Sequence, residues 1–182
     1  VAVHASTAEG IRRSVAAGVS TIEHGTGATA EILAAMRERK VTLVPTLAAS
    51  EAIARYAGWK PGEPEPQRVR ESREMFARAL ASGVTIANGS DAGVFAHGGN
   101  ARELELLVAY GMTPPQALRA ATATAALVLG KGQELGRIAP GCMADLIVVE
   151  GNPLEDVAAL RQPIVVVKGG AVALDRRATV RH

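Results

Sequence analysis

Residues 1–25 read Val-Ala-Val-His-Ala-Ser-Thr-Ala-Glu-Gly-Ile-Arg-Arg-Ser-Val-Ala-Ala-Gly-Val-Ser-Thr-Ile-Glu-His-Gly. The apolar run Val1 to Val3 leads straight into His4. Residues 8–17 then follow the helical pattern, opened by Ser6 or Thr7 as a cap and stopped by Gly18. Residues 19–23 form a second short apolar run that ends at His24-Gly25. Strand, helix, strand in so few residues predicts two parallel strands joined by a crossover helix.

The same alternation continues downstream. Thr29 caps a helix whose inner face carries Ile32, Leu33 and Met36, and residues 41–44 are a third strand ended by Pro45. Residues 48–66 read as a short helix followed by a proline-rich loop with Tyr56, Trp59, Pro61, Pro64 and Pro66, an excursion of a length that is more often functional than connective. Residues 69–82 are a helix ended by Gly83, and residues 84–87 a fourth strand leading into Asn88-Gly89-Ser90-Asp91-Ala92-Gly93. A helix over 101–109 carries Leu104, Leu107 and Val108 on one side. Thr113 caps another, opened by Pro114-Pro115 and running to about Leu129 before Gly130. From Ala144 the period changes: the β-branched runs 146–149 and 164–167, separated by a helical turn over 154–160, predict a small appended sheet.

The fold class is therefore α/β, with about four βα units in the first 110 or so residues. A complete (β/α)8 barrel of the TIM type takes about 250 residues and eight such units, so four make half of one. An open doubly wound sheet is the alternative, although no strand is followed by the G-x-G-x-x-G loop of dinucleotide binders.

Composition narrows the function classes. Hydrophobic residues make up 48% of the 182 and aromatics only 3%, which suits helices packed on short buried strands. The net charge of +2 is nearly balanced, and the densest basic cluster, Arg68 to Arg78, is interleaved with Glu71 and Glu74. That is a solvated helix face, so no nucleic-acid partner is expected. No apolar run reaches the ~18 residues of a membrane span, and cytoplasmic residence is expected. The single cysteine, Cys142, forms no intrachain disulfide and reads as a small packing residue.

Three chemically capable side chains sit in equivalent places. His4 follows the first strand, His24 the second and Asp91 the fourth. In a parallel barrel the C-terminal strand ends share one mouth, so these three can converge. Two imidazoles and a carboxylate suit Zn²⁺ and similar divalent ions. The glycines Gly25, Gly89 and Gly93 around them permit tight turns near a bound group. Ser90 lacks the G-x-S-x-G elbow of a serine nucleophile.

These pieces, in order, resemble the amidohydrolase superfamily, in the branch around imidazolonepropionase and the metal-dependent Xaa-Pro dipeptidases. The matching segments are Val-Ala-Val-His-Ala (1–5), Ile-Glu-His-Gly (22–25), Gly-Ser-Asp-Ala-Gly (89–93), His97-Gly98, Glu103-Leu104, Gly-Met-Thr-Pro (111–114), Gly136-Arg137-Ile138, Ala-Asp-Leu-Ile-Val (144–148) and Asn152-Pro153-Leu154. The resemblance implies the C-terminal half of the barrel, strands five to eight, in residues 1–135, and part of a small β-domain in residues 136–182. It implies that His4, His24 and Asp91 are metal ligands, with Asp91 also relaying a proton, His24 also serving the chemistry, and one or two ions, zinc first, in the complete enzyme. His97 is implied as a substrate contact, and Tyr56, in the loop region after the third strand, is a further candidate for the substrate pocket. His182 is terminal and has no assigned role.

The departures bear on the reading. The family's His-x-His pair and its fourth-strand lysine have no counterpart among these residues, so this chain is expected to carry only part of the metal shell and to be inactive alone. Deaminase members often carry a glutamate where Thr7 stands, which favours hydrolysis of an amide, peptide or cyclic amide. A small-molecule or short-peptide substrate and a homo-oligomeric full-length protein are expected. Two other readings stay open: a catalytically silent amidohydrolase-like module, and an esterase or lactonase of the same architecture.

Overall fold

A computed structural model describes residues 1–177; His182 lies outside them. Strand β1 (Ala2–Ala5) is followed by helix α1 (Ala8–Ala16), β2 (Thr21–His24), α2 (Ala30–Glu38) and β3 (Thr42–Val44). Helices α3 (Leu47–Tyr56), α4 (Gln67–Ser82) and α5 (Ala101–Ala109) come next. Helix α6 (Pro114–Arg119) passes through a π turn, Ala120–Thr124, into α7 (Ala125–Val128). The last part holds β4 (Leu146–Val148), a 3₁₀ turn over Val157–Arg161, β5 (Val165–Lys168) and β6 (Ala171–Asp175). The protein is thus α/β, with one parallel and one antiparallel sheet.

The caps expected from the sequence set the helix starts. Thr7, Thr29 and Thr113 each accept a backbone N–H from the residue three further on, at 3.2, 3.4 and 3.4 Å. Thr113 and Gln116 complete a reciprocal capping box. Each such hydroxyl satisfies an amide that the helix itself leaves unpaired.

The parallel sheet runs β1-β2-β3 in sequence order. The fourth expected strand, residues 84–87, is reduced to a single parallel bridge between Leu43 and Ile86, carried by Leu43 N–H to Thr85 O (2.9 Å) and Ala87 N–H to Leu43 O (3.0 Å). Gly83, in the left-handed region at φ 70°, turns the chain just before it, and the Asn88 amide is drawn off to the carbonyl of Ala120 (3.0 Å) just after. Only one repeat of pairing fits between these two ties. The order never reverses, as it would at the switch point of a doubly wound sheet.

Pairing register explains the core. Val3, Ile22 and Leu43 form one row across the sheet, continued by Ile86. Ile22, Leu43 and Ile86 are buried and Val3 packs against them. The helices lay Ile11, Leu33, Met36, Met75, Phe76 and Leu107 on the same cluster, all of them fully buried. Alternation along a strand sends the neighbouring row, His4, Glu23 and Val44, to the other face.

Two features went unread in the sequence. The helix expected over 114–129 is broken by the π turn, because its groups are drawn elsewhere. Asn88 takes the Ala120 carbonyl, and the Thr122 hydroxyl donates to Leu118 O at 2.7 Å. The small sheet also has a third strand, β6. It forms a hairpin with β5 around Gly169-Gly170, both at positive φ (58° and 83°), the backbone that a two-residue hairpin turn demands. Asp145 secures this turn, accepting the Gly169 N–H at 2.7 Å and pairing with Lys168.

Gly136 marks a close approach between the α6–α7 region and the segment leading to β4. A Cβ there would stand 2.6 Å from the carbonyl oxygen of Thr122, at a φ of 81°. Gly136→Ala is expected to lower unfolding stability by about 1–3 kcal/mol, read from urea midpoints. No helix among the described residues is long and apolar enough to cross a membrane.

Candidate functional site

His4 stands on the sheet face away from the helices, beside Glu23 of the neighbouring strand. His24 is register-paired with Ala5, which is buried on the helix side, so simple alternation would turn its ring the other way. Its backbone is left-handed instead, at φ 70°, and the ring comes round to His4. His24 Nε2 lies 2.8 Å from His4 Nδ1, and the two rings meet edge to face with centroids 4.3 Å apart. Thr46 and Asp91, the first residues beyond Pro45 and Ser90, are left-handed too, at φ 49° and 55°. Such backbone costs about 1–3 kcal/mol per residue and collects at functional sites. Three of the four non-glycine residues with positive φ among the described residues, His24, Thr46 and Asp91, lie at or beyond strand ends.

The hydrogen bonds favour one tautomer of His24. The Thr46 hydroxyl lies 2.8 Å from Pro45 O, which can only accept, and donating there leaves its oxygen to accept from His24 Nδ1–H, 2.6 Å away. A neutral His24 therefore keeps its lone pair on Nε2, turned toward His4. With that lone pair accepting, His4 Nδ1 is the donor across the 2.8 Å contact. Burial, and then the neighbouring His4, hold the His24 pKa below its usual 6.5, against the opposing charges of Asp91 and Glu23. A neutral imidazole with an oriented free nitrogen is the state that ligates a cation.

Asp91 stands close enough to His24 for its charge to act there. It does not close a three-ligand cluster: among the described residues, no group of three His, Cys, Asp or Glu side chains is gathered tightly enough to hold a metal ion. The donor chemistry nonetheless fits a divalent cation, since two ring nitrogens converge and a carboxylate lies in their field. Glu23, unmarked in the sequence reading, belongs to the same row as His4 and accepts from the Thr21 hydroxyl at 2.5 Å. Strand parity from His4 was the signal that could have found it.

The other candidates stand elsewhere. His97 lines a separate cavity of ≈ 760 Å³ together with Arg55, Phe95, Arg102 and Arg161. Tyr56 is 72% exposed at the end of α3 and does not line that cavity. Glu51 and Glu105 link the cavity's three guanidinium groups: Glu51 binds Arg55 and Arg102, and Glu105 binds Arg102 and Arg161. Ser90 is buried and accepts from Asn100 at 2.9 Å, a structural role.

Residues 1–173 match the family model described as "Amidohydrolase family". The chain belongs to the amidohydrolase family. Among its relatives is ochratoxinase from Aspergillus niger, 35% identical over 180 residues that cover 93% of this chain and 37% of that protein. Imidazolonepropionase from Chromobacterium violaceum is 39% identical over 72 residues, covering 37% of this chain and 17% of that one. Among solved structures, a Xaa-Pro dipeptidase with bound methionine in the active site superimposes with a TM-score of 0.87 and 39% identity, covering 96% of this chain and 44% of that one. This amidohydrolase chain therefore spans less than half the length of the relatives and structures it matches over most of its own.

Proposed function

We propose that this chain supplies the C-terminal part of the active site of an amidohydrolase that cleaves a C–N bond, of an amide, peptide or cyclic amide, in a small molecule or short peptide. In this reading residues 1–135 are the second half of a (β/α)8 barrel and residues 136–182 part of the small β-domain beside it. The relatives' names support the bond type: a Xaa-Pro dipeptidase and an imidazolonepropionase lie on either side of the peptide and cyclic-amide alternatives.

The observation that carries the reading is the oriented pair of imidazoles: with Thr46 accepting from His24 Nδ1–H, the Nε2 lone pair turns toward His4 Nδ1, 2.8 Å away. His4, His24 and Asp91 would hold a divalent cation, zinc or a similar ion, together with ligands from elsewhere in the complete enzyme. Such a cation, when bound, acidifies water and polarises a carbonyl. Asp91 accepts a proton from the attacking water and returns it to the departing nitrogen, as base and then acid. Asp91 stands at a left-handed backbone, φ 55°, and its charge acts on His24. His97, beside the guanidinium groups of its cavity, contacts the more distant part of the substrate. Tyr56 joins it only for a substrate long enough to reach the end of α3.

The test is a substrate panel with the sequence carried in a chain of the relatives' length. Xaa-Pro dipeptides, N-acyl amino acids, cyclic amides, simple esters and lactones are compared before and after chelation and zinc return. C–N cleavage that is lost with chelator and regained with zinc is expected. Turnover of esters or lactones alone, or of nothing, contradicts the proposal.

A further inference from the structure

Thr46 also stands at a helix start, yet its hydroxyl caps nothing. Thr7, Thr29 and Thr113 all spend theirs on their own helices. The Thr46 oxygen is instead committed to His24 Nδ1 and Pro45 O. The first turn of α3 needs another acceptor, because amides at a helix start find none within the helix. A remote side chain provides it. Glu103, on α5, accepts the N–H of Leu47 at 2.9 Å and that of Ala48 at 2.7 Å, one on each carboxylate oxygen.

Glu103 is completely buried, and among the described residues the two amides are the hydrogen-bond partners of its carboxylate. A carboxylate in such a place is costly unless its bonds matter. Burial raises its pKa to about 7, against the pull of the two amides. A hydroxyl in the α3 cap would be the ordinary and cheaper device. It is unavailable, since Thr46 serves the histidine.

We infer that Glu103 is a positioning residue for the candidate site: it caps α3 from outside, which frees the Thr46 hydroxyl to orient His24 and keep its Nε2 as the lone-pair nitrogen. The link runs from Glu103 to the amides of Leu47 and Ala48, through the left-handed Thr46, to the His24 ring. It rests on the reading of His24 as a site residue only for its purpose; the physical link is measurable without metal or substrate.

The experiment is ¹⁵N NMR of the histidine rings in the 182-residue chain at a fixed neutral pH, with circular dichroism to establish folding. Thr46→Val removes the hydroxyl at nearly constant shape and is expected to shift the His24 Nδ1 signal and mix the two tautomers. Thr46→Ser keeps the hydroxyl and is expected to hold the wild-type signal. Glu103→Gln presents an amide group to one of the two N–H donors, and is expected to move the His24 signal in the direction of Thr46→Val. Combined with Thr46→Val, it adds no further shift. Glu103→Asp, one methylene shorter, is expected to move it the same way. Wild-type His24 signals in a folded Glu103→Gln or Glu103→Asp chain overturn the inference. Loss of fold in both variants also overturns it, in favour of a purely architectural carboxylate. Either outcome leaves zinc binding at His24 a separate question, answered by zinc titration of the wild-type chain.

Discussion

Asp91→Asn, in a protein that carries this sequence within a chain of the relatives' length, is expected to lower kcat by about 10²–10⁴-fold while leaving the fold intact. The loss follows from the role. A carboxylate that takes a proton from water and returns it to the leaving nitrogen has no substitute in an amide, and positioned acid–base groups are worth about that factor. The unchanged fold follows from the backbone. Asp91 sits at φ 55°, and Asn is one of the few side chains that tolerates the left-handed region as readily. Thermal unfolding of the variant should thus match the parent within about 0.5 kcal/mol. A kcat within a few-fold of wild type would remove Asp91 from the chemistry. A large loss of stability would show that its carboxylate is structural.

Glu103→Ala is expected to be the most destabilising single substitution near the site, by about 3–5 kcal/mol in urea unfolding. It strands two buried amides, at about 1–3 kcal/mol each, and opens a void in a packed region. Relief of the buried charge offsets part of this, which keeps the total near the range for breaking a buried charged interaction. The same residue gives a pH dependence. Its carboxyl has a folded-state pKa of about 7, against 4.5 in the open chain. Between those values the folded chain binds the extra proton, so this group's contribution is fully present below pH 4.5 and is lost as pH rises to 7. Wild type should therefore lose stability relative to Glu103→Gln over that interval, by about 3 kcal/mol at most. A constant difference between the two from pH 4.5 to pH 7 would contradict the shift.

Much of this was legible because it is local. Thr7, Thr29 and Thr113 announced helix starts that the structure places within a residue or two, and Ile32, Leu33 and Met36 were read as the inner face they are. His4 and His24 were paired from their strand-end positions alone, and they are in contact. What escaped depends on partners far along the chain. Nothing near residues 84–87 says that Asn88 will be drawn to Ala120 and cut a strand to one bridge. The π turn has the same cause. Glu103, 55 residues from Ala48, was marked only as part of a helix segment resembling the family; no periodicity could reveal that it caps α3. The β5–β6 hairpin is a different case. Gly169-Gly170 between two β-branched or apolar runs is a local turn signal, and it was there to be read. Tyr56 was chosen for its place in an irregular stretch, and that stretch begins with the regular helix α3, which carries the ring to solvent.

In the proposed site His4 and His24 share one cation, with Asp91 close enough for its charge to act on His24. Zinc titration of this sequence carried in a chain of the relatives' length, followed by the ¹⁵N signals of each histidine ring, tests it most directly. His4 and His24 are expected to shift together along one binding curve, with His97 unmoved and with weaker binding after Asp91→Asn. Independent curves for His4 and His24, or zinc arriving at His97 while both rings keep their metal-free signals, would contradict it.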